Sequence, residues 1–190
     1  MTGEPSDAFD LLVAAMHERP ELFDQLAPGV ADLLQDLKEG PPDVTAILKI
    51  MEVKLQKRAP RALKLINAVP AEITEQVVRH ALALKHEEAA TQVEAVRISL
   101  LCALPGIEVP VASALLAWSK PSSYGVLDRR AWKTLHRFKL VKSRSKKNTT
   151  YTANDWARYL FLLRALAEET KRTPQRVDTW LYAYDKAKPT

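Results

Sequence analysis

The feature that most constrains the fold of this chain is an apolar periodicity of three to four residues, which recurs along its length. No stretch shows the two-residue alternation of a half-buried β-strand. The clearest case begins after Asp43, the predicted N-cap, and its apolar residues are Val44, Ile47, Leu48, Met51 and Leu55. This spacing places them on one face of an α-helix. We therefore predict an all-α fold.

Three further helices are predicted in the same way, and each has a boundary signal. Their apolar stripes are Val93, Val96, Leu100, Ala103 and Leu104; Trp156, Tyr159, Leu160, Leu163 and Leu166; and Val177, Trp180, Leu181 and Tyr184. The first ends at Pro105-Gly106, the second opens with the capping box Thr152-x-x-Asp155, and the third opens with Thr173-Pro174. Weaker patterns predict shorter helices at 8–17, 31–38, 61–68 and 71–84.

Composition and cysteine content narrow the class further. With 190 residues, 47% of them hydrophobic, the chain is long enough to bury a real core. Its one cysteine, Cys102, cannot form an internal disulfide, and no Cys/His cluster has zinc-ligand spacing. Residues 1–16 carry acids instead of the Lys or Arg of a secretory signal, and no apolar run approaches the ~20 residues of a membrane span. We expect a cytoplasmic protein, nucleoid-associated if bacterial, with no membrane partner.

Charge is distributed unevenly along the chain. Between Asp128 and Lys147 there are nine basic residues and one acid, a local net charge of +8, whereas the remainder carries −3. From Glu4 to Asp43 there are ten acids and two bases. Such a layout directs a polyanion to one face of a protein. We predict an acidic N-terminal helical lobe at 1–40 and a second domain at 41–190.

The most informative segment is 101–113, in which an apolar helix is interrupted by a short turn and restarts at once. Gly106 can adopt a positive φ in this turn without steric cost. The second helix then begins with free N–H groups pointing outward, the geometry that holds a phosphate. Small Ala112 and Ser113 allow the two helices to approach closely. The segment therefore predicts a helical hairpin.

Leu104-Pro105-Gly106-Ile107, followed by Val111-Ala112-Ser113, resembles the helix-hairpin-helix of the base-excision DNA glycosylase superfamily, nearest its 8-oxoguanine glycosylase branch. Further on, the segment from Tyr124 to Trp132 is similar to the one in which that superfamily carries its catalytic aspartate, here Asp128. The stretch 173–181 is similar to the last helix of small bacterial members. The resemblance implies a helix-hairpin-helix glycosylase-like domain at 41–190.

Two positions depart from the family's hairpin. Glu108 stands where a second glycine is usual, so a carboxylate comes near the expected phosphate. Pro110 stands where members with lyase activity carry a Schiff-base lysine, and proline has neither an amine nor an N–H. The resemblance therefore implies hydrolysis of the glycosidic bond without cleavage of the strand through an imine.

Together these features predict a monofunctional DNA glycosylase of base excision repair that acts on lesion-containing double-stranded DNA. Asp128 is the expected catalytic residue, because a carboxylate beside the sugar stabilises the positive charge that develops as the bond to the everted base breaks. The expected DNA contacts are Gly106, Ile107, Val109, Arg129, Arg130, Lys133, Lys142, Arg144, Lys146 and Lys147. No metal or other cofactor is expected, although the resemblance leaves open a monovalent cation at the hairpin.

The same residues fit simpler interpretations. Asp128 has the position of an N-cap for a predicted helix at 129–138, a role compatible with catalysis. The basic run has the composition of a solvated face, and the four tryptophans lie in apolar stripes typical of a core. Two other functions stay open. One is a non-catalytic helix-hairpin-helix DNA-binding protein, and the other is a helical protein-interaction module whose acidic N-terminal pole binds a basic partner.

Overall fold

The computed structural model describes residues 5–37, 41–84, 91–144 and 150–187, which contain helices and no β-strand. This confirms the all-α prediction. The α-helices are α1 Pro5–Glu18, α2 Val30–Asp36, α3 Val44–Leu55, α4 Ala59–Ile66, α5 Ala71–Ala83, α6 Thr91–Cys102, α7 Val109–Ser119, α8 Arg129–Arg137, α9 Ala153–Thr170 and α10 Pro174–Lys186. Short 3-10 helices, which the sequence did not predict, lie at Pro20–Asp24 and Gln56–Arg58.

Side-chain caps start several helices at the predicted residues. Asp43 accepts a hydrogen bond from an amide in the first turn of α3 at 2.8 Å. Thr152 and Asp155 form the predicted capping box of α9. Thr173 caps α10, with Pro174 in its first turn. These caps satisfy amides that have no partner inside the helix, which is why the chain enters each helix there.

One continuous apolar core joins helices from both ends of the chain. Helix α10 packs beside α8 and α9, α6 lies against α9, and α7 packs on α3. The four tryptophans predicted to belong to the core are buried, and Trp156 and Trp180 have no exposed surface. This packing brings the C-terminal end of α3 close to the start of α8.

The acidic N-terminal segment packs on the same core. Helix α1 contacts α9, and the 3-10 helix Pro20–Asp24 lies against α10. Trp180 donates its indole N–H to the carbonyl oxygen of Arg19 at 2.9 Å, and Arg176 pairs with Asp24 at 2.7 Å. The predicted division near residue 40 stays a prediction, since residues 38–40 lie outside the described ranges.

The buried face of α6 differs from the predicted one. Val96 is 59% exposed, so its place in the predicted apolar stripe is wrong. The helix instead buries Glu94 and Arg97 together with Ile98 and Leu101. Arg97 donates to carbonyl oxygens at the end of α5 and to the Glu94 carboxylate. These polar bonds, which the apolar pattern does not reveal, set the orientation of the helix.

Candidate functional site

A small pocket opens between the 26–30 segment, the C-terminal end of α3, the residues just before α8, and α10. Its volume is about 110 Å³, below the roughly 300–1,000 Å³ of most small-molecule sites. Trp118 and Tyr182 contribute aromatic surface, and Lys54, Asp128 and Asp178 contribute charged groups. The pocket therefore suits a compact planar group better than a whole nucleotide.

Asp128 lines this pocket and caps α8. Its Oδ1 accepts hydrogen bonds from the amides of Arg130 at 2.8 Å and Ala131 at 2.9 Å, which confirms the predicted N-cap. Its Oδ2 lies 3.8 Å from the Nζ of Lys54, and the side chain of Asp128 is 22% exposed. The carboxylate is therefore fixed by its helix, paired with one ammonium group, and still accessible to solvent.

Lys54 reaches Asp128 from the last turn of α3. Gln56, the residue that ends this helix, has φ 50° and ψ −120° and also lines the pocket. A positive φ is uncommon for a residue other than glycine, and such strain is concentrated at binding sites and switch regions. The backbone is therefore strained at the point where α3 meets the pocket.

The segment that carries Asp128 is held against two neighbouring helices. Leu127 donates its amide to the buried Oγ of Ser113 on α7 at 3.0 Å. At Gly125, a Cβ atom would lie 2.6 Å from a side chain of α9 and 2.8 Å from one of α10, so only glycine fits. The sequence indicated Ser113 only as a small residue. In the structure its hydroxyl connects the second helix of the hairpin to the approach of Asp128.

Asp178 on α10 is a second carboxyl in the pocket lining, and it is buried. Its Oδ1 accepts a hydrogen bond from the Tyr159 hydroxyl at 2.5 Å. Burial, followed by the nearby Asp128 carboxylate, raises the pKa of Asp178 to about 7, although hydrogen bonds from Tyr159 and Val126 and the charge of Lys54 lower it. Asp178 therefore exchanges its proton near neutral pH.

Gln175 lies one turn before Asp178 on α10 and also lines the pocket. Its side chain is buried, and its Nε2 has no hydrogen-bond partner among the described residues. A buried donor without a partner carries a desolvation penalty of about 1–3 kcal/mol. The pocket therefore offers an amide that the acceptor of a ligand would satisfy.

The turn between α6 and α7 has the predicted backbone. Gly106 has φ +83°, which confirms the expected positive value. A Cβ atom there would lie 2.5 Å from the carbonyl oxygen of Ala62, so the turn packs directly on α4. The amide of Ile107 donates to the Leu104 carbonyl oxygen at 3.1 Å. That amide is therefore used within the turn itself.

Two other amides near the start of α7 are not used by the backbone of the described residues. The amides of Gly106 and Val109 have no backbone partner in the part of the chain that the structure describes. Glu108 is the exposed N-cap of α7, and its side chain makes no capping hydrogen bond. Pro110 follows in the first turn. Glu108, which replaces the glycine of the hairpin that the sequence resembles, thus directly precedes Val109 at the start of the helix.

Three of the predicted phosphate-binding side chains are both exposed and without an ion-pair partner among the described residues. They are Arg129, Lys133 and Lys142. Trp132 donates its indole N–H to the carbonyl oxygen of Lys142 at 3.1 Å, so the chain after α8 folds back alongside that helix. The three cations therefore belong to one helix and the segment bound to it.

Two other predicted phosphate-binding side chains have internal partners. Arg130 pairs with Asp185 of α10 at 3.2 Å. Arg144 pairs with Asp155 at the start of α9, and its guanidinium lies 4.6 Å from the centroid of the Tyr151 ring. Both arginines therefore fix the positions of neighbouring helices. Any contact that they make with a phosphate would compete with these ion pairs.

The last two predicted contacts, Lys146 and Lys147, lie outside the described residues. Within those residues, no group of three or more His, Cys, Asp or Glu is arranged to hold a metal ion. The expected absence of a cofactor and the optional cation at the hairpin both stay predictions.

The sequence predicted Asp128 but not its polar neighbours in the pocket. Asp178 had a usable signal, because it lies beside Val177 on the apolar face of α10, where an unpaired acid is rare. Lys54 had no such signal, since its proximity to Asp128 depends on how α3 packs. Both residues come from helices distant in sequence from α8.

No family model matches the chain, and neither a curated protein nor a solved structure matches it significantly. Its function is therefore inferred from the residues of the pocket and of the hairpin. None of the helices in the described ranges combines the length and the apolar character needed to cross a bilayer.

Proposed function

We propose that this chain is a helix-hairpin-helix DNA glycosylase that hydrolyses the N-glycosidic bond of a damaged or modified base turned out of double-stranded DNA. The observation that carries the proposal is the position of Asp128, which caps α8 and also lines a pocket. A carboxylate fixed in this way beside a concave, partly aromatic surface is what stabilisation of a cationic sugar requires.

The charges around Asp128 support this role. Two backbone amides and the Lys54 ammonium group stabilise a negative charge on its carboxylate. When the bond to the base breaks, the positive charge on the sugar is greatest in the transition state, so a fixed carboxylate stabilises that state more than the substrate. An everted base would occupy the pocket while its sugar stays at the mouth, near Asp128.

The hairpin and the exposed cations support binding to a duplex. The amides of Gly106 and Val109 lie in a turn at the start of a helix, where backbone N–H groups bind anions. Arg129 and Lys133 supply positive charge on the helix that Asp128 caps, and Lys142 supplies it on the segment bound to that helix. Phosphate contacts at these two places would position the duplex, and base eversion would then deliver the lesion to the pocket.

The decisive experiment is a base-release assay on duplexes that each contain one modified base, namely 8-oxoguanine, hypoxanthine, uracil or 3-methyladenine. We expect release from at least one duplex and a loss of about 10²–10³-fold in Asp128→Asn, the scale measured for removal of one electrostatic group from an active site. DNA binding by the variant should persist. Release by Asp128→Asn at the unmodified rate would contradict the proposal.

Asp43→Asn is the matched control, because Asp43 also caps a helix through an amide at 2.8 Å and does not line the pocket. Its base release should equal that of the unmodified protein. A loss in both variants would mean that capping, and not the pocket, explains the effect of Asp128.

Hydrolysis without an imine is tested by borohydride, which traps a Schiff base between an amine and the sugar. Pro110 supplies no amine, whereas Lys54 brings one near Asp128. We expect no trapped protein–DNA adduct. An adduct that disappears in Lys54→Met would replace the hydrolytic proposal with a lyase mechanism.

A second function, a non-catalytic DNA-binding protein with the same hairpin, is favoured by one observation. Both carboxylate oxygens of Asp128 already have partners, two amides and Lys54. In that case the protein would bind the duplexes in a salt-dependent manner without releasing any base, and Asp128→Asn would change only the stability of α8.

A further inference from the structure

Two carboxyls line the pocket, and their surroundings differ. Asp128 is partly exposed, accepts hydrogen bonds from two amides, and lies opposite Lys54. Asp178 is buried on α10 and accepts a hydrogen bond from the Tyr159 hydroxyl. Two titratable groups whose environments differ in this way are suited to opposite roles, one as a charged group and one as an acid.

We propose that Asp178 is the general acid of the reaction, the group that gives a proton to the departing base while Asp128 faces the sugar. This inference rests on the proposed function and adds a second catalytic residue to it. It also specifies the substrate class, which is a base that leaves poorly as an anion and is released faster when one of its ring nitrogens or oxygens is protonated.

The proton and electron balance closes within the pocket. The electron pair of the bond between C1′ and nitrogen moves to the base, and the proton of Asp178 moves to a ring atom of the base, so the base leaves neutral. Water then forms a bond to C1′ and transfers a proton to the Asp128 carboxylate. Solvent removes the proton from Asp128 and returns one to Asp178, which restores both groups.

The groups packed around Asp178 match this role. Tyr159 on α9 donates to its carboxylate, Lys54 on α3 contributes positive charge, and Asp128 before α8 contributes negative charge. Burial and Asp128 dominate, and the pKa of Asp178 is raised to about 7. An acid with such a value holds a proton near neutral pH and can still release it, which is the condition for general acid catalysis.

Gln175 provides an independent indication that a ligand binds at this wall of the pocket. Its buried Nε2 has no partner among the described residues, and it lies one turn from Asp178 on the same helix. An acceptor on a planar base would satisfy this amide and bring the edge of the base to the Asp178 carboxyl. The acid and the amide would therefore contact the same edge of the ligand.

The test is single-turnover base release between about pH 5 and pH 9, on the duplex with 8-oxoguanine, hypoxanthine or uracil that the unmodified protein processes fastest. Release confined to 3-methyladenine, which is already cationic in the nucleoside, would contradict the inferred substrate class. For the unmodified protein the rate should fall about tenfold per pH unit above the pKa of Asp178, as expected for an essential acid. Asp178→Asn should be slower by about 10²–10⁴-fold at the acidic end, the usual contribution of such a group, and should lose this limb of the profile.

Tyr159→Phe tests whether Asp178 is the titrating acid, because a purely structural role of Asp178 would not change the pH at which the rate falls. It keeps the Asp178 carboxyl and removes a hydrogen bond that stabilises its charged form. The falling limb should therefore move to higher pH. If thermal melting and DNA binding show that Asp178→Asn does not fold, the pH profile of Tyr159→Phe tests the inference by itself.

Three further results would overturn the inference. One is an Asp178→Asn variant that keeps the falling limb, and another is a Tyr159→Phe profile that does not move, even though the unmodified protein releases a base. The third is no release by the unmodified protein from any duplex, which contradicts the proposed function itself and the inference with it. The first two leave the proposed function intact, so the two failures are distinguishable.

Discussion

Two regions of this molecule, each with a buried acid, have opposite surroundings. In the first, Glu94 on α6 is paired with Arg97 at 3.0 Å and with Arg164 of α9 at 2.9 Å. In the second, the pocket, the Lys54 ammonium group lies near both Asp128 and Asp178, and the nearby Gln175 amide has no partner among the described residues. The first region has more cations than acids, whereas the second has more acids than cations.

The difference separates a structural cluster from a site. A buried carboxylate that is fully paired and hydrogen-bonded holds helices together and has no capacity left for a ligand. A buried carboxyl near another acid, with an unpaired amide beside it among the described residues, leaves polar groups that a ligand would satisfy. Functional sites commonly have such perturbed groups and incomplete pairing. We therefore assign the proposed chemistry to the pocket and a structural role to the α6–α9 cluster.

The largest expected effect is in the structural cluster. Arg97→Met removes one of the two cations paired with Glu94 and two bonds to carbonyl oxygens at the end of α5. Because Arg164 still pairs with Glu94, the loss of stability should be about 3 kcal/mol, the lower end for breaking a buried ion pair. Urea denaturation measures this. Arg176→Met is the control, since its pair with Asp24 is exposed and should contribute at most about 1 kcal/mol. Equal losses of stability in the two variants would show that the buried cluster is no more important for stability than an exposed ion pair.

The pocket should show the opposite pattern, since its acid destabilises the fold when it ionises. Asp178 has a folded pKa of about 7 against an ordinary value of 3.8, so it adds stability below about pH 4 that is lost as the pH rises through about 7. When the pH rises from about 5 to about 7, the free energy of unfolding should fall by about 2 kcal/mol less in Asp178→Asn than in the unmodified protein. Parallel denaturation curves at each pH measure the difference. Identical pH dependence of the two proteins would remove Asp178 as a titrating group.

A smaller effect is expected at the unpaired amide. Gln175→Leu replaces a buried donor without a partner by apolar surface, so stability should stay the same or rise by up to about 1 kcal/mol. Base release should fall, because the ligand loses the amide. Thermal melting and the base-release assay measure the two effects. A loss of stability above about 2 kcal/mol would show that Gln175 has a structural role, like the residues of the α6–α9 cluster.

The smallest effects are expected at the exposed cations, which belong to neither region. Lys133→Gln and Lys142→Gln should each reduce the slope of log affinity against log salt by about 1 if each contacts one phosphate. Arg79→Gln, an exposed change on α5 outside the basic run, should leave the slope unchanged. Fluorescence anisotropy at several salt concentrations measures this. Unchanged slopes in both lysine variants would show that this surface is not part of the DNA interface.

The sequence predicted the helices well because the local signals agreed with one another. Asp43, the capping box at Thr152 and the Thr173-Pro174 start are short-range features, and each lies where the structure begins a helix. The predicted orientation of α6 was wrong at Val96. The helix is turned by the hydrogen bonds of Arg97, which reach residues 13 and 16 positions earlier in the chain. Apolar periodicity does not encode such polar contacts.

The site was predictable only in part, for the same reason. Asp128 follows from its position before a helix and from the resemblance around it. Lys54 and Asp178 reach the pocket from α3 and α10, so their proximity is a result of packing. An acid on the apolar face of α10 is an unused signal for Asp178, and only the structure relates this residue to Asp128.

The central claim is that the pocket beside Asp128 receives a base from DNA. Ala27 lines the pocket and is half-buried, so Ala27→Trp should fill it, whereas Ala31→Trp changes an exposed residue of α2 and serves as the control. The direct measurement is the fluorescence of 2-aminopurine placed beside the lesion that is released fastest. Fluorescence should rise when the unmodified protein or Ala31→Trp binds, and should not rise when Ala27→Trp binds the same duplex. An equal rise with Ala27→Trp, or no rise with the unmodified protein while it binds DNA, would contradict the claim.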